Sequence, residues 1–417
     1  MAALAQADLL RLATAGSVDD GKSTLIGRLL YDAKQVLTDQ LEHVEEASRR
    51  RGGTDGVDLS LLVDGLRAER EQGITIDVAY RYFATARRTF IIADTPGHVQ
   101  YTRNMVTGAS TADLSVILVD ARKGVLEQSK RHAYISALLG IRHLVVAVNK
   151  MDLVDFDEEV FDAIVRDFSA FAAGLGARDI GYIPISAKHG DNVVERSQNM
   201  PWYGGGALLE HLETVAVDDA RNLQQARFPV QWVIRDHDSD YRGYAGQVAG
   251  GILRPGDEVL VLPSQKRTRI ARIDTFDGAL DAACAGMSVT LLLHDEIDVS
   301  RGDIICHPRD APQLSRELTA NVCWMTDAPL RAGARYAIKH ATHAARVVVD
   351  EVVDRVDVHT LDADADAIEL GLNDIGRVRL RTSKPMAFDA YATSRATGSF
   401  ILIDETTNDT VGAGMIA

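Results

Sequence analysis

The sequence is poor in cysteine and contains no long apolar run. Its 417 residues include three cysteines, Cys284, Cys306 and Cys323, whose wide spacing fits neither a metal site nor a disulfide framework. No stretch of about 18 uncharged apolar residues occurs, so no membrane span is predicted. The N-terminus also lacks the basic start and apolar centre of a secretory signal. We therefore expect a cytoplasmic protein with no membrane contact.

Positive charge is also scarce. The chain has 45 lysines and arginines against 60 aspartates and glutamates, a formal net charge of −15. Broad contact with a nucleic-acid backbone needs clustered Lys and Arg side chains, so this balance argues against a nucleic-acid partner. At 417 residues the chain is too long for one hydrophobic core, and several domains are expected.

A glycine-rich loop, "GSVDDGKST", lies between a predicted strand (residues 10–15) and an apolar segment with helical spacing (residues 25–30). This context makes a match to the phosphate-binding P-loop, G-x-x-x-x-G-K-S, credible. Glycines let backbone N–H groups approach phosphates, and the helix N-terminus adds its dipole. Lys22 can reach the β- and γ-phosphates, and the Ser23 hydroxyl can ligate Mg²⁺. The predicted loop residues are Gly16, Ser17, Val18, Asp19, Asp20, Gly21, Lys22, Ser23 and Thr24.

Further short, apolar and β-branched runs indicate strands at residues 89–94, 114–120, 143–149 and 182–186. Such runs are typical of a mostly parallel sheet that is buried on both faces by helices. The fold class predicted for this part of the chain is therefore an α/β P-loop domain. In such a sheet, ligand-binding residues lie beyond the carboxyl ends of the strands.

The first of these strand ends carries "DTPGH", residues Asp94, Thr95, Pro96, Gly97 and His98. A carboxylate at Asp94 can hold a Mg²⁺-bound water, and Gly97 has no side chain to keep its N–H from the γ-phosphate. A D-x-x-G pattern alone is weak, but it is strong after a P-loop, a helix and a strand.

Two later strand ends carry "NKMD" (Asn149, Lys150, Asp152) and "SAK" (Ser186, Ala187, Lys188). The Asp152 carboxylate can accept hydrogen bonds from N1–H and the exocyclic amine of guanine. Adenine has an acceptor at N1 and would leave that carboxylate unpaired. Lys150 can lie along the base plane, and the Ala187 N–H can reach the guanine oxygen. The sequence therefore predicts GTP, with Mg²⁺, as the bound nucleotide.

With these motifs, residues 10 to about 215 resemble the translation-factor class of GTPases. The resemblance implies that Thr75, in "EQGITI", ligates Mg²⁺ beside Ser23 and Asp94, and that His98 positions the attacking water. It implies a catalytic set of His98, Lys22, Thr75 and Gly97, with Val18 and Ile74 screening the histidine. Asp20 departs from the histidine common in that class, and we expect little consequence because the position contributes mainly backbone. The charged segment 31–72 is expected to be a switch region.

After about residue 218 helical periodicity gives way to short strands separated by turn residues. Segments such as "RPGDEV" and "RGDII" resemble the second-domain barrel of translation factors. We predict three domains: a GTP-binding domain at 1–220 and antiparallel β-barrels at 226–312 and 313–417.

Three longer stretches, including "GSVDDGKSTLIGRLLYDAK" and "DGLRAEREQGITIDVAYRYF", resemble the large GTPase subunit of bacterial sulfate adenylyltransferase. That resemblance implies that GTP hydrolysis drives formation of adenosine 5′-phosphosulfate and pyrophosphate from ATP and sulfate on a separate small subunit. The chain has no second P-loop, S-G-G-x-D-S or H-x-G-H pattern, which agrees with an ATP site elsewhere. The ending "NDTVGAGMIA" resembles the stretch before a fused adenosine-phosphosulfate kinase domain in some relatives, and one hypothesis is that the natural chain continues.

The sequence leaves two alternative functions open. A translation-elongation GTPase acting on tRNA and ribosomes would need a basic strip on the barrels, and the barrel sequence shows none. A regulatory switch that barely hydrolyses GTP would not need Thr75, Gly97 and His98 together.

Overall fold

A computed structural model of the protein describes residues 9–33, 44, 48, 58–63, 77–98, 101–175, 179–217, 222–235, 241–357 and 360–417. The chain divides into two compact units, residues 1–218 with 358–361, and residues 219–357 with 362–417. Within the described residues, no helix is both long enough and apolar enough to cross a membrane. The predicted domain bounds at 220, 226, 312 and 313 stay predictions.

The first unit is an α/β domain. Its strands are β1 (Leu9–Ala15), β2 (Ala79–Ala84), β3 (Thr89–Asp94), β4 (Leu114–Asp120), β5 (His143–Asn149) and β6 (Asp179–Pro184). Its helices are α1 (Lys22–Asp32), α2 (Thr102–Ala109), α3 (Glu127–Leu138), α4 (Glu158–Ala172) and α5 (Leu208–Thr214), with 3₁₀ turns at Leu59–Leu62 and Met151–Val154.

These strands form one sheet in the order β2-β3-β1-β4-β5-β6. All neighbours are parallel except β2, which runs antiparallel to β3 at the edge. Every residue of β4 is buried, as a central strand covered on both faces requires. The parallel arrangement brings the ends of β1, β3, β4 and β5 to one edge, where the predicted motifs lie.

The second unit contains two closed antiparallel sheets. The first uses β7 (Arg227–Arg235), β8 (Arg242–Gln247), β10 (Glu258–Leu262), β11 (Lys266–Thr275), β14 (Ser288–Leu293) and β15 (Ile304–Cys306). It runs β10-β15-β7-β8-β14-β11 and closes where β11 pairs with β10. Short strands β9 (Ile252–Leu253), β12 (Gly278–Ala279) and β13 (Ala283–Cys284) add two antiparallel pairings, β11 with β12 and β9 with β13, and a 3₁₀ turn covers Pro308–Asp310.

The second barrel uses β16 (Gln313–Trp324), β18 (Arg335–His340), β19 (His343–Val356), β22 (Ile375–Phe388), β23 (Ser399–Ile403) and β24 (Thr410–Ile416). It runs β18-β23-β24-β16-β22-β19 and closes where β19 pairs with β18. Three short strands, β17 (Leu330–Arg331), β20 (Ala363–Asp364) and β21 (Glu369–Leu370), and helix α6 (Arg395–Gly398) complete it. Closure gives each of the six main strands of either barrel a neighbour on both sides, and the predicted fold class is confirmed.

A buried ion pair links the two barrels. The Arg227 guanidinium donates from Nε and Nη2 to both oxygens of Asp389, each at 2.9 Å, and the Thr397 hydroxyl donates to Asp389 Oδ2 at 2.5 Å. The Arg227 side chain is 2% exposed and the Asp389 side chain 7%. Asp310 Oδ1 also lies 3.7 Å from Arg227 Nη1, but its side chain is 27% exposed, so the Asp389 carboxylate provides the main compensation for the buried guanidinium.

We predict that Asp389→Ala lowers the free energy of unfolding by about 3–5 kcal/mol, because the buried guanidinium loses both of its 2.9 Å hydrogen bonds to a carboxylate and keeps only the longer 3.7 Å contact with Asp310. The free energy is measured by urea denaturation, followed by tryptophan fluorescence, in the unfolding transition of the second unit. The control is Glu405→Ala, which removes the exposed partner of Arg346 and should cost about 0–1 kcal/mol. Equal effects of the two substitutions would contradict a structural role for the buried pair.

Candidate nucleotide-binding site

The predicted P-loop connects β1 to α1 in the way its sequence requires. Gly21 precedes α1 with φ of +94°, and a Cβ there would lie 2.5 Å from Asn149 Nδ2. The first turn of α1 has no side-chain cap, so its N–H groups point from the helix end toward the loop. The Ser17 hydroxyl is buried and has no hydrogen-bond partner among the described residues. These unsatisfied donors fit an anionic ligand at the helix N-terminus.

Asp20 supports the loop with its side chain as well as its backbone. Asp20 Oδ2 accepts a hydrogen bond from the Ser17 N–H at 2.7 Å, and its carbonyl accepts from Asn149 Nδ2 at 2.8 Å. Burial raises the pKa of the carboxyl, against the Ser17 N–H, Lys22 and Lys123, which lower it. Asp20, where translation-factor GTPases commonly have histidine, therefore stabilises the loop with its side chain in addition to the backbone role that we expected.

Lys22 lies buried at the start of α1. Its Nζ donates to the Gly16 carbonyl at 3.1 Å, and burial lowers its pKa, whereas Asp94 and Asp20 raise it. Gly97 faces this ammonium: a Cβ at Gly97 would lie 2.4 Å from Gly16 O and 2.5 Å from Lys22 Nζ. The two predicted catalytic motifs therefore meet, and only glycine fits at residue 97.

The end of β3 brings Asp94 beside β1. Asp94 is 1% exposed, and its Oδ1 lies 3.5 Å from Thr14 Oγ1. The Thr95 hydroxyl donates to the Thr14 carbonyl at 2.6 Å, which ties the start of the "DTPGH" loop to the end of β1. His98 follows, half-buried, with its ring centroid 6.1 Å from that of Tyr101. Thr75 and Ile74 lie outside the described residues, as does most of segment 31–72, so their predicted roles stay predictions.

Asn149, at the end of β5, joins two other loops through one side chain. Its Nδ2 donates to Asp20 O at 2.8 Å, and its Oδ1 accepts from the Ala187 N–H at 2.9 Å. The side chain is buried at 2% exposure, and its Nδ2 is also the atom that restricts residue 21 to glycine. The Ala187 N–H, which we predicted to reach guanine, is thus engaged by Asn149 in this structure, and its contact with the base stays a prediction.

Asp152 is oriented from the neighbouring loop. The Ser186 hydroxyl donates to Asp152 Oδ1 at 2.6 Å, and His189 Nε2 lies 3.6 Å from Oδ2. The Asp152 side chain keeps 13% exposure, whereas Ser186 is fully buried. Ser186 therefore orients the carboxylate without covering it completely, and its predicted contact with guanine stays a prediction.

Lys150 forms an ion pair with Asp120, a residue that the sequence patterns did not single out. Lys150 Nζ lies 2.9 Å from Asp120 Oδ2, at the end of β4, and it also donates to the Asp19 carbonyl. Burial raises the pKa of Asp120, but hydrogen bonds from Arg122 and Lys150 outweigh it and bring the pKa well below its usual range. The available signal was the strand end "LSVILVD", where ligand-adjacent acids are expected.

The other predicted site residues lie in the same loops. Val18 and Thr24 are half-buried, Asp19 is exposed with φ of +68°, Pro96 is buried and Lys188 is exposed. At the start of α1, Ser23 is half-buried. The structure thus brings together all of the predicted nucleotide-binding motifs except the one containing Thr75. A P-loop, a D-x-x-G loop and two base-recognition loops at one sheet edge, followed in the chain by two barrels, define the translation-factor type of GTPase.

Comparisons with known proteins agree. The model of the elongation factor Tu GTP-binding domain matches residues 7–219, and that of the GTP-eEF1A C-terminal domain-like family matches residues 317–417. "Bifunctional enzyme CysN/CysC" of Mycobacterium tuberculosis is 59% identical over 98% of this chain and 67% of its own length. "Sulfate adenylyltransferase subunit 1" of Bacteroides fragilis is 54% identical over 99% of this chain and 86% of its own. The chain belongs to the sulfate adenylyltransferase subunit 1 family of GTP-binding proteins.

We predict that Asp152→Asn changes the base preference of the site from guanine to xanthine. The amide can donate to the carbonyl that xanthine has in place of the guanine amine, whereas it cannot accept both guanine hydrogens. GDP affinity should fall at least roughly 100-fold and xanthosine diphosphate should bind more tightly than GDP. Isothermal titration calorimetry with both nucleotides measures this.

The matched control is Asp155→Asn, an exposed carboxyl three residues further on. It should leave both affinities unchanged. Loss of all nucleotide binding in Asp152→Asn, or retention of guanine preference, would mean that Asp152 does not read the base.

Proposed function

We propose that this chain is the GTPase subunit of a sulfate adenylyltransferase, in which GTP hydrolysis drives formation of adenosine 5′-phosphosulfate and pyrophosphate from ATP and sulfate. The observation that carries the proposal is the 53–59% identity over nearly the whole chain to proteins with that subunit name or the CysN/CysC name. Formation of the phosphate–sulfate anhydride is strongly unfavourable. Hydrolysis of a second nucleotide, GTP, therefore gives the reaction its driving force. The adenylyl-transfer site belongs on a partner small subunit, and the complex acts in the cytoplasm.

The described residues have distinct tasks in the GTPase half of this reaction. Lys22 and the N–H groups at the start of α1 bind the phosphates, and Gly97 keeps the space beside Lys22 clear. Asp152, oriented by Ser186, selects guanine. His98 holds the attacking water in line with the γ-phosphate. Because hydrolysis needs little covalent help from protein, positioning and neutralisation of charge account for most of the rate.

Magnesium fits the residues present. Mg²⁺ prefers hard oxygen ligands. The Ser23 hydroxyl follows Lys22 at the start of α1, and the Asp94 carboxyl lies at the end of β3, at the same end of the sheet. Thr75 would supply a third oxygen. When bound, the ion neutralises charge on the β- and γ-phosphates.

A role in translation finds less support in the barrels. On the second barrel, arginines of β22 pair with carboxylates of β19: Arg377 with Asp354 at 2.6 Å, Arg379 with Glu351 at 2.8 Å, and Arg381 with Asp350 at 2.9 Å. These cations are already paired within the sheet, which lowers their capacity to bind an RNA backbone.

We predict that the small subunit, with ATP and sulfate, raises the GTP turnover of this chain and that adenosine phosphosulfate accumulates. His98→Ala should lower both rates roughly 100-fold, because the attacking water loses its positioning group, while GDP affinity stays unchanged. Phosphate release and chromatography of the adenylyl product follow the two rates.

The control is His294→Ala, an exposed histidine on the first barrel, which should retain both rates. If the small subunit leaves GTP turnover unchanged while ribosomes stimulate it, the chain is still a GTPase but the proposed role in sulfate activation is wrong. If His98→Ala keeps full turnover, His98 does not position the water.

A further inference from the structure

Arg28, a half-buried residue of α1, extends from the P-loop helix to the base-recognition loop. Its Nε donates to the Ala187 carbonyl at 3.2 Å, and its Nη2 donates to the Lys188 carbonyl. The side chain is only 17% exposed. A guanidinium presents two parallel N–H donors at fixed spacing, which matches two neighbouring carbonyls better than the single ammonium of lysine does.

Arg28 is itself held in place on its own helix. Its Nη1 lies 3.5 Å from Asp32 Oδ1, one turn further along α1, and its guanidinium lies 5.9 Å from the ring centroid of Tyr31. These contacts limit the freedom of a long side chain, so less order is lost when it binds the loop.

The loop that Arg28 holds is the one that orients base recognition. Successive peptide groups are tied from two sides: the Ala187 N–H by Asn149, and the Ala187 and Lys188 carbonyls by Arg28. The turn is closed by the Gly190 N–H, which donates to the Ser186 carbonyl at 2.7 Å. Ser186 in this turn fixes Asp152. The position of the specificity carboxylate therefore depends on a turn that is anchored to the phosphate-binding helix.

We propose that Arg28 is a positioning residue for guanine selection: it fixes the 186–190 turn to α1, so that the base-binding and phosphate-binding ends of the site are held at one spacing. Phosphate contacts are the same for every nucleoside diphosphate, whereas base contacts depend on this turn. Loss of Arg28 therefore weakens guanine nucleotides more than adenine nucleotides. The inference rests on guanine-nucleotide binding and is independent of the role in sulfate activation.

The test is the ratio of GDP to ADP affinity of the full chain, measured by calorimetry for the wild type, Arg28→Ala and Arg28→Lys. We expect Arg28→Ala to lower the ratio about 10-fold, as two lost charge-assisted hydrogen bonds imply, with ADP affinity nearly unchanged. Arg28→Lys, which keeps the charge but can satisfy one carbonyl, should lower the ratio less. Arg166→Ala, an exposed arginine on α4, is the matched control and should leave the ratio unchanged.

Two results would overturn the proposal. If GDP and ADP weaken by the same factor in Arg28→Ala, Arg28 supports only the helix. If neither affinity changes, the turn does not need it. Should Arg28→Ala fail to fold, the ratio in Arg28→Lys decides, since an unchanged ratio there means that the paired hydrogen bonds are not required. A wild-type chain with no preference for GDP over ADP would instead defeat the nucleotide assignment itself.

Discussion

The nucleotide site depends on the carboxamide of Asn149. Its side chain bonds both the P-loop, at Asp20 O, and the base-recognition loop, at the Ala187 N–H. Each contact is to a buried backbone group, which would be costly to leave unpaired. The β5 strand that carries Asn149 pairs with β4 and β6 over six or more residues, so the amide is placed by a strand that is hydrogen-bonded on both sides. The loops around it are therefore positioned by a rigid element.

The rest of the site can be understood as loops attached to this fixed point. Lys150, next in the chain, reaches the P-loop through the Asp19 carbonyl and is steadied by Asp120. Ser186, next to Ala187, orients Asp152. The P-loop and the base-recognition loops are thus connected to one another by hydrogen bonds.

Much of this arrangement could be predicted from the sequence because the motifs are local. Strands at 89–94, 114–120 and 143–149 occur at the predicted residues, since continuous β-branched runs identify central strands. The last predicted strand, 182–186, is shifted: β6 spans Asp179–Pro184, because pairing with β5 overrides the weak strand propensity of Asp179 and Gly181. Strand β2 was not predicted, because as an edge strand it exposes Tyr80 and Tyr82 and lacks a continuous apolar run.

Contacts between distant residues could not be predicted in the same way. The Lys150–Asp120 pair joins residues 30 apart, and the Arg227–Asp389 pair joins residues 162 apart. No spacing rule connects such positions, because the fold alone brings them together. Asp120 lies at the end of a predicted strand and Lys150 lies in a predicted motif, but no sequence pattern indicates that the two side chains pair.

The most direct test of the account is the GDP affinity of Asn149→Ala, measured by calorimetry on a variant whose circular dichroism shows a retained fold. Loss of both buried hydrogen bonds should weaken GDP roughly 100-fold or more. Unchanged GDP affinity would show that the P-loop and the base-recognition loop keep their places without the amide, and would contradict the central role given to Asn149.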